Sequence, residues 1–446
     1  MPSDVHPVDQ VPPPGRLLLF AIQHVLVMAA SPITAVFLIG RALHLPPALA
    51  AGLVSATFLA CGLGTLLQSF GPWGIGARLP FIMVPAGAPV FIFVGIAEHS
   101  GIPTASGAVI LTAVFYLIAL PVYARCLRYF SRLVIGTILL LVGINLVRIY
   151  GSVITGAPGS PQFGAPSSLL LALATIGFTV AFARLLPGLL RQLSVLLGLL
   201  AGAVAAGLAG MVSLDGIAAQ PWLTLPAAFP FGAPSFDVVA ALPMLIFSVV
   251  SMTEATGQTV AIAEVVGKPI VPTREVPRTI RGDAVTSLFG ACFGTPLIIT
   301  SGENIGVVRA TGIRSRFVTA TGGAILVLLA LLAPIGRLVN AIPAPVVGGT
   351  ALVVFCVIAV MGIEMLRTVD VTAHGNLFTL AAGLAVGLLP VLIPNAYVRF
   401  PSLVQAILGN GLAAGTVVTV LLNIVFNHTG AAARSAATAE PERSPT

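Results

Sequence analysis

The sequence predicts an all-α polytopic membrane protein of fourteen transmembrane segments, built as two halves of seven that run in opposite senses. Three observations lead there. Of 446 residues, 57% are hydrophobic and only 8% charged, with a mean hydropathy of +1.06, whereas a soluble domain carries roughly 25% charge. Apolar runs follow one another between Gly, Pro and charged breakers, and a span takes about 20 such residues. The basic residues gather on one side of the resulting topology. This composition excludes a soluble enzyme, a nucleic-acid-binding protein and a disordered chain.

The runs are 16–40, 47–70, 79–97, 103–123, 131–149, 168–186, 193–212, 236–257, 283–297, 299–312, 316–337, 343–363, 373–393 and 404–427. An even number puts both termini on one side. With the N-terminus in the cytoplasm, Arg41, Arg148, Arg337 and Arg399 face outward and the other 17 of the 21 Lys and Arg residues face inward. The net charge of +7 reports that bias rather than an acidic partner. Residues 1–15 read as a polar, Pro-rich tail without the basic and apolar regions of a signal peptide. Residues 428–446 read as a second tail, rich in Ala, Ser, Glu and Pro from Ala431 on. Cys61, Cys126, Cys292 and Cys356 lie far apart, mostly in apolar runs, and read as small buried hydrophobes. No Cys/His cluster has metal-ligand spacing.

Seven is odd, so the second half runs opposite to the first, the arithmetic of an inverted repeat. The third segment of each half supports this. One contains Leu79-Pro80 and then Pro85-Ala86-Gly87-Ala88-Pro89; the other contains Gly294-Thr295-Pro296 and then Thr300-Ser301-Gly302. Interrupted segments at matching places mark a transporter's binding site near the bilayer midplane. Their broken backbone must line a cavity or pack on protein.

Ionisable residues deep in spans are expensive, roughly 2.5–3.5 kcal/mol each on insertion scales. The reading finds three: His24 in segment 1, Glu254 in segment 8 and Glu303 in segment 10. Segments 1 and 8 are repeat mates, and so are 3 and 10. Glu254 sits among Ser251, Thr253 and Thr256, with Gly257 and Gln258 following and no Lys or Arg within a turn. An unpaired carboxyl there is a candidate proton carrier. Glu303 opens Glu303-Asn304-Ile305-Gly306, where Asn304 has donors and an acceptor to tie the turn to a neighbouring span and Gly306 allows close backbone approach. Gln23 and His24 read first as packing partners, with His24 also a candidate for proton or substrate contact.

At these residues the sequence resembles the nucleobase–ascorbate transporter family of nucleobase–cation symporters. The family signature is matched at every constrained position by Glu303-Asn304-Ile305-Gly306-Val307-Val308-Arg309-Ala310-Thr311-Gly312. Gln23-His24 matches the family's Gln-His pair. Glu254-Ala255-Thr256-Gly257-Gln258 is similar to its segment 8 motif. Gly282-Asp283, Pro343–Gly349 and Leu421–Asn427 add to the likeness, which covers residues 16–427. The resemblance implies a core domain of segments 1–4 and 8–11 (about 16–123 and 236–337) and a gate domain of segments 5–7 and 12–14 (about 131–212 and 343–427). It implies short strands in segments 3 and 10, a homodimer in the bacterial inner membrane, and an elevator-like movement of core against gate. Glu254, Glu303, Gln258, Gly302, Ala86 and Gly87 then bind the base, with a proton as coupling ion at Glu254 and His24 and no other cofactor. Gln23, Asn304, Gly306 and Thr311 support the site.

Three departures bear on substrate. Gln258 stands where relatives carry Asp or His and cannot titrate. Ala86-Gly87 stands where relatives carry a Ser-Phe pair, which removes a stacking ring and enlarges the pocket. Glu303 resembles uracil-type relatives, whereas Met252-Thr253-Glu254-Ala255-Thr256-Gly257 resembles xanthine and urate relatives. Ionised carboxylates only accept hydrogen bonds, so two Glu side chains suit a base presenting two N–H groups. The sequence thus points to a proton-coupled importer of oxidised purines such as xanthine or urate. A uracil–proton symporter is the alternative. An anion exchanger or channel of the same architecture is disfavoured by the two acidic groups. A membrane enzyme lacks a nucleophile–base pair, since His99 and His374 fall at loop ends, and lacks a phosphate loop.

Overall fold

The computed structural model describes residues 5–85, 87–126, 129–156, 163–212, 223, 225–332, 342–393, 396–401, 404–405, 408–409 and 411–429, apart from the side chains of some residues within helices, Glu303 among them. The chain divides into two units, residues 1–124 with 146–357, and residues 125–145 with 358–446. Among the described residues, seven helices are long and apolar enough to cross a bilayer.

Each apolar run has a counterpart. Segment 1 is α1 (Pro14–Met28) and α2 (Ala30–Ala42), which meet at Ala29. Segment 2 is α3 (Pro47–Phe70), entered at a proline and closed by Gly71 at φ 60°, the usual Pro-start and Gly-stop of a helix. Segment 3 is β1 (Met83–Pro85) followed by α4 (Gly87–Ser100). Segments 4 to 7 are α5 (Ile102–Cys126), α6 (Arg132–Thr155), α7 (Pro166–Leu185) and, after the short α8 (Gly188–Gln192), α9 (Ser194–Leu208). Segment 8 is α10 (Val238–Val266), capped by Asp237, which accepts from the Val239 and Ala240 N–H groups at 2.8 and 3.1 Å. Segment 10 is β2 (Ile298–Thr300) followed by α12 (Glu303–Thr311), and segment 11 is α13 (Arg316–Ala330). The last three are α14 (Ala344–Leu366), α15 (His374–Leu392) and α16 (Gly411–Asn427).

Segment 9 differs from its expected range. It is α11, Pro272–Ala291, and it begins eleven residues before 283. Arg274, Glu275, Arg278 and Arg281 make its first turns polar, so an apolar-run reading misses them, while Val276, Ile280 and Asp283 are buried. This amphipathic start places Asp283 well inside the helix and 2% exposed. An apolar run starting at 283 puts this residue at a segment edge, outside the deep ionisable residues.

The two interrupted segments pair with each other. β1 and β2 form a two-stranded antiparallel ribbon in the register Met83↔Thr300, Val84↔Ile299, Pro85↔Ile298, and all six residues are buried. A ribbon this short has two open edges, and an unpaired backbone group away from water is costly. Side chains of α3 and α11 close both. Thr65 Oγ1 accepts from the Met83 N–H at 2.9 Å. Ser287 Oγ accepts from the Ile298 N–H at 3.0 Å and donates to the Ile298 carbonyl at 2.9 Å. Asp283 Oδ1 accepts from the Thr300 N–H at 3.1 Å. The helices that close the edges are segments 2 and 9, repeat mates themselves.

Close helix approach holds this frame. A Cβ on Gly62 of α3 would lie 2.6 Å from the Gly323 carbonyl oxygen of α13, and one on Gly323 would lie 2.8 Å from that of Gly62. Such small-residue contacts are how membrane helices pack without a hydrophobic drive.

The segment before α1 is anchored on the same unit. Val8, fully buried, packs with Leu79, Phe81, Ile262, Val266, Ile305 and Val308. Asp9 accepts from Arg316 Nε at 2.6 Å and Lys268 Nζ at 3.3 Å. Partial burial pushes the Asp9 carboxyl up, but the hydrogen bond and charge of Arg316, with Lys268 beside it, outweigh this and hold it below the usual range. Arg316 also donates to the Ser69 carbonyl at 2.8 Å, so one carboxylate links the ends of α3, α10 and α13. In the second unit, Asn423 of α16 donates to the Tyr129 carbonyl at 2.8 Å.

Candidate functional site

The ribbon register fixes how the two broken segments present their helices. Antiparallel strands send α4 and α12 out from opposite ends of the ribbon, each starting within three residues of its strand. A helix N-terminus carries unpaired N–H groups and partial positive charge. Gly87 opens α4 and is partly exposed; Ala86 lies outside the described residues. Gly302 precedes α12, its carbonyl accepting from the Ile305 N–H at 3.1 Å, and Glu303 is the first residue of that helix. The Glu303 side chain lies outside the described residues.

Asn304 is the tie the sequence suggested, and it reaches two elements rather than one. Its Nδ2 donates to the Pro80 carbonyl at 2.6 Å, and its Oδ1 meets His24 Nδ1 at 2.7 Å. Because the amide nitrogen is spent on Pro80, Oδ1 is the acceptor, and His24 carries its proton on Nδ1. His24 Nε2 then holds a lone pair, buried and without a partner among the described residues. Both His24 and Gln23 are 1% exposed. Asn304 therefore pins α1, the strand-leading loop at Pro80 and α12 to one another.

Thr311 and Gly312 end α12. The Thr311 hydroxyl donates to the Val307 carbonyl at 2.8 Å and accepts from the Ile313 N–H at 3.2 Å, while Gly312 turns to φ 69°. That pair is a helix stop. Gly306 does not serve as a close-contact glycine among the described residues: a Cβ there would meet nothing within 4 Å.

On α10, Glu254 is partly buried and has no ion-pair partner among the described residues. Gln258 Nε2, one turn on, donates to Glu254 Oε1 at 2.9 Å. The hydroxyls of Thr253 and Thr256 turn back to the Val249 and Met252 carbonyls, at 2.9 and 2.8 Å. Both are thus bonded back to their own helix. Thr256 also meets the Tyr123 hydroxyl at 3.0 Å.

Behind Gln258 lie three residues that the sequence reading did not assign to the site. Thr300 Oγ1 donates to Gln258 Oε1 at 2.9 Å and lies 3.4 Å from Asp283 Oδ2. Gln68 Nε2 donates to Asp283 Oδ1 at 3.1 Å and to the Thr279 carbonyl at 2.8 Å. An unbroken polar chain therefore runs from Glu254 through Gln258 and Thr300 to Asp283 and Gln68. Gly282 makes it possible, since a Cβ there would lie 2.3 Å from Gln68 Nε2. The Gly282-Asp283 pair was the one signal in the sequence; Gln68 and Thr300 carry none by themselves.

The described residues thus offer a carboxyl on α10 and two helix N-termini leaving a paired ribbon, while His24 is buried and tied to Asn304. Acceptors on the side chains suit N–H donors of a ligand, and backbone N–H groups suit its carbonyls.

Known proteins agree on the architecture. A model described as Permease family, Xan_ur_permease, matches residues 15–396. The chain is 30% identical to the uric acid permease PucJ of Bacillus subtilis over 92% of its own length and 93% of the relative's. It is 31% identical to the uric acid transporter UacT of Escherichia coli, over 94% and 88%. It is 29% identical to a xanthine permease of Bacillus subtilis, over 93% and 94%. In fold it is similar to the transmembrane domain of a cyanobacterial bicarbonate transporter, BicA, with a TM-score of 0.55 at 16% identity, over 92% of this chain and 96% of that one. It is also similar to SLC26A9, with a TM-score of 0.59 at 14% identity, over 92% and 66%. Those transmembrane domains share the seven-plus-seven inverted-repeat fold.

Proposed function

This chain belongs to the nucleobase–ascorbate transporter family, and we propose that, as a permease of nucleobases, it imports oxidised purines, urate or xanthine, together with a proton. It is an integral membrane protein and a transporter, not an enzyme. The observation that carries the coupling is Glu254: a partly buried carboxyl on a span, held by a neutral amide and with no cation paired to it among the described residues. Such a group exchanges a proton without breaking a salt bridge. Its protonation removes one charge from the domain that must move through the bilayer, where an uncompensated charge is costly. The substrate class rests on the relatives named above, which transport uric acid or xanthine by their descriptions, and on the small residue Gly87 at the head of α4.

In this reading Glu254 and Glu303 accept from N–H groups of the base, the N-termini of α4 and α12 hold its carbonyls, and His24 is tied to the head of α12 through Asn304. The protein works as a homodimer in the bacterial inner membrane with both termini in the cytoplasm, core moving against gate. The likeness to anion-transporting proteins at 14–16% identity concerns fold alone. The test is uptake of radiolabelled urate into proteoliposomes with and without an imposed proton gradient, competed by xanthine, hypoxanthine, uracil and ascorbate. Gradient-driven uptake blocked by xanthine but not by uracil is expected. Gradient-independent uptake, or uracil competing as well as xanthine, contradicts the proposal.

A further inference from the structure

The chain from Glu254 to Asp283 has a polarity that its proton count dictates. At the far end, Gln68 Oε1 accepts from the Ala77 N–H at 3.3 Å, so its Nε2 is the donor toward Asp283. Asp283 Oδ1 thus receives two N–H groups, from Gln68 and from the Thr300 backbone. Any proton on this carboxyl sits on Oδ2, facing the Thr300 hydroxyl. That hydroxyl has a single hydrogen and two acceptors before it, Gln258 Oε1 and Asp283 Oδ2.

With a single proton on the pair of carboxyls, two arrangements satisfy every atom. In one, protonated Asp283 donates to Thr300, Thr300 donates to Gln258 Oε1, and the Gln258 amide donates to ionised Glu254. In the other, the Gln258 amide is reversed: protonated Glu254 donates to its oxygen, its nitrogen donates to Thr300, and Thr300 donates to ionised Asp283. If both carboxyls ionise, the Thr300 hydrogen goes to Asp283. With the amide nitrogen on Glu254, two bare oxygens then face each other 2.9 Å apart. A buried acceptor left without a donor is costly. Of the other titratable groups, α5 carries Tyr116, fully buried, and Tyr123, whose hydroxyl meets Thr256 at 3.0 Å, and α4, packed on α10, carries Glu98 and His99 at its exposed far end. α3 presents only Cys61, β2 presents none, and Glu303 heads the neighbouring α12. Neither carboxyl has an ion-pair partner among the described residues.

We propose that Asp283 is a second proton-bearing carboxyl of this transporter, and that Thr300 and Gln258 make its protonation and that of Glu254 depend on each other, so that the chain of groups always retains at least one proton and the coupled proton is the second. The inference rests on the reading of Glu254 as the coupling carboxyl. Gln258 is essential to it, because an amide can reverse between donor and acceptor and a carboxylate cannot.

Infrared difference spectroscopy on the purified full-length protein, from mildly acidic to mildly alkaline pH, reads protonated carboxyls directly and needs no transport. The wild type is expected to keep one protonated-carboxyl band at the alkaline end. Asp283→Asn removes that band. Glu254→Gln removes it too, because a neutral amide at 254 lets Asp283 ionise. A band that survives Asp283→Asn, or is absent from the wild type, overturns the assignment of Asp283. A band that survives Glu254→Gln overturns the dependence. Thr300→Val is then expected to move the proton concentration for half-maximal uptake by about tenfold, the effect of one hydrogen bond, while Thr300→Ser restores the wild-type midpoint. An unmoved midpoint in Thr300→Val removes Thr300 from the linkage. Wild-type uptake that does not respond to a proton gradient would instead fault the coupling reading, which the infrared bands leave separate.

Discussion

The two interrupted segments, Met83–Ser100 and Ile298–Thr311, solve one backbone problem with different chemistry. Each is a three-residue strand leading to a helix, and each strand has its outer edge closed by side chains from its half's second span. In the first half the closing group at Met83 is the neutral hydroxyl of Thr65. In the second half the edge is closed by the hydroxyl of Ser287 and the carboxyl of Asp283, and that carboxyl continues through Thr300 and Gln258 to Glu254. The scaffold is symmetric and the ionisable chemistry is not. One half closes its strand edge with a neutral group, and the other with groups that include a carboxyl.

Breaking the two edges should therefore have unequal consequences. Asp283→Leu leaves the Thr300 N–H and a Gln68 donor unpaired, each costing about 1–3 kcal/mol when buried, and it should abolish folded expression or sharply lower the melting temperature in detergent. Thr65→Val orphans the Met83 N–H alone, and its melting temperature should fall by a smaller amount. Equal losses would mean that the carboxyl edge is no more than a second hydroxyl.

The helix heads extend the comparison. Gly87→Phe at the head of α4 fills space and should weaken competition by urate while sparing or improving that by uracil. Equal weakening would place α4 away from the base. Glu303→Gln at the head of α12 exchanges an acceptor for a group that also donates. It should reorder the competing bases by about 1–3 kcal/mol, the worth of one misplaced hydrogen bond in a dry site, with expression unchanged. An unaltered order would remove Glu303 from substrate contact.

The smallest effect belongs to the anchored N-terminal segment. Asp9→Asn should lower thermal stability by about 1 kcal/mol or less, as for a partly exposed ion pair. Its carboxyl is held below the usual range in the folded state. The stabilisation is therefore present above its unfolded pKa and lost as pH falls through the folded one. The difference between wild type and Asp9→Asn in melting temperature should close on acidification, and a constant difference would show that packing of Val8, not the ion pair, fixes the segment.

Most of the fold was legible because apolar runs and prolines mark spans directly. α11 was the exception, since half of its length is charged on one face. The strands are too short for a periodicity, and only the likeness to a family supplied them. Within the site, Glu254, His24 and Asn304 announced themselves as polar groups in apolar runs. Thr300 and Gln68 did not, because neutral polar residues are common in spans and their meaning lies in partners 42 and 215 positions away. Asp283 was hidden by the same polar turns that blurred its helix.

Proton exchange at Glu254 is the central proposal, and the direct measurement is urate accumulation by Glu254→Gln in proteoliposomes with an acidic outside. The substitution fixes the side chain in a neutral state, so substrate exchange down its own gradient can persist while accumulation above equilibrium is lost. Accumulation by Glu254→Gln at the wild-type level would contradict the account and move the coupling to Glu303 or His24.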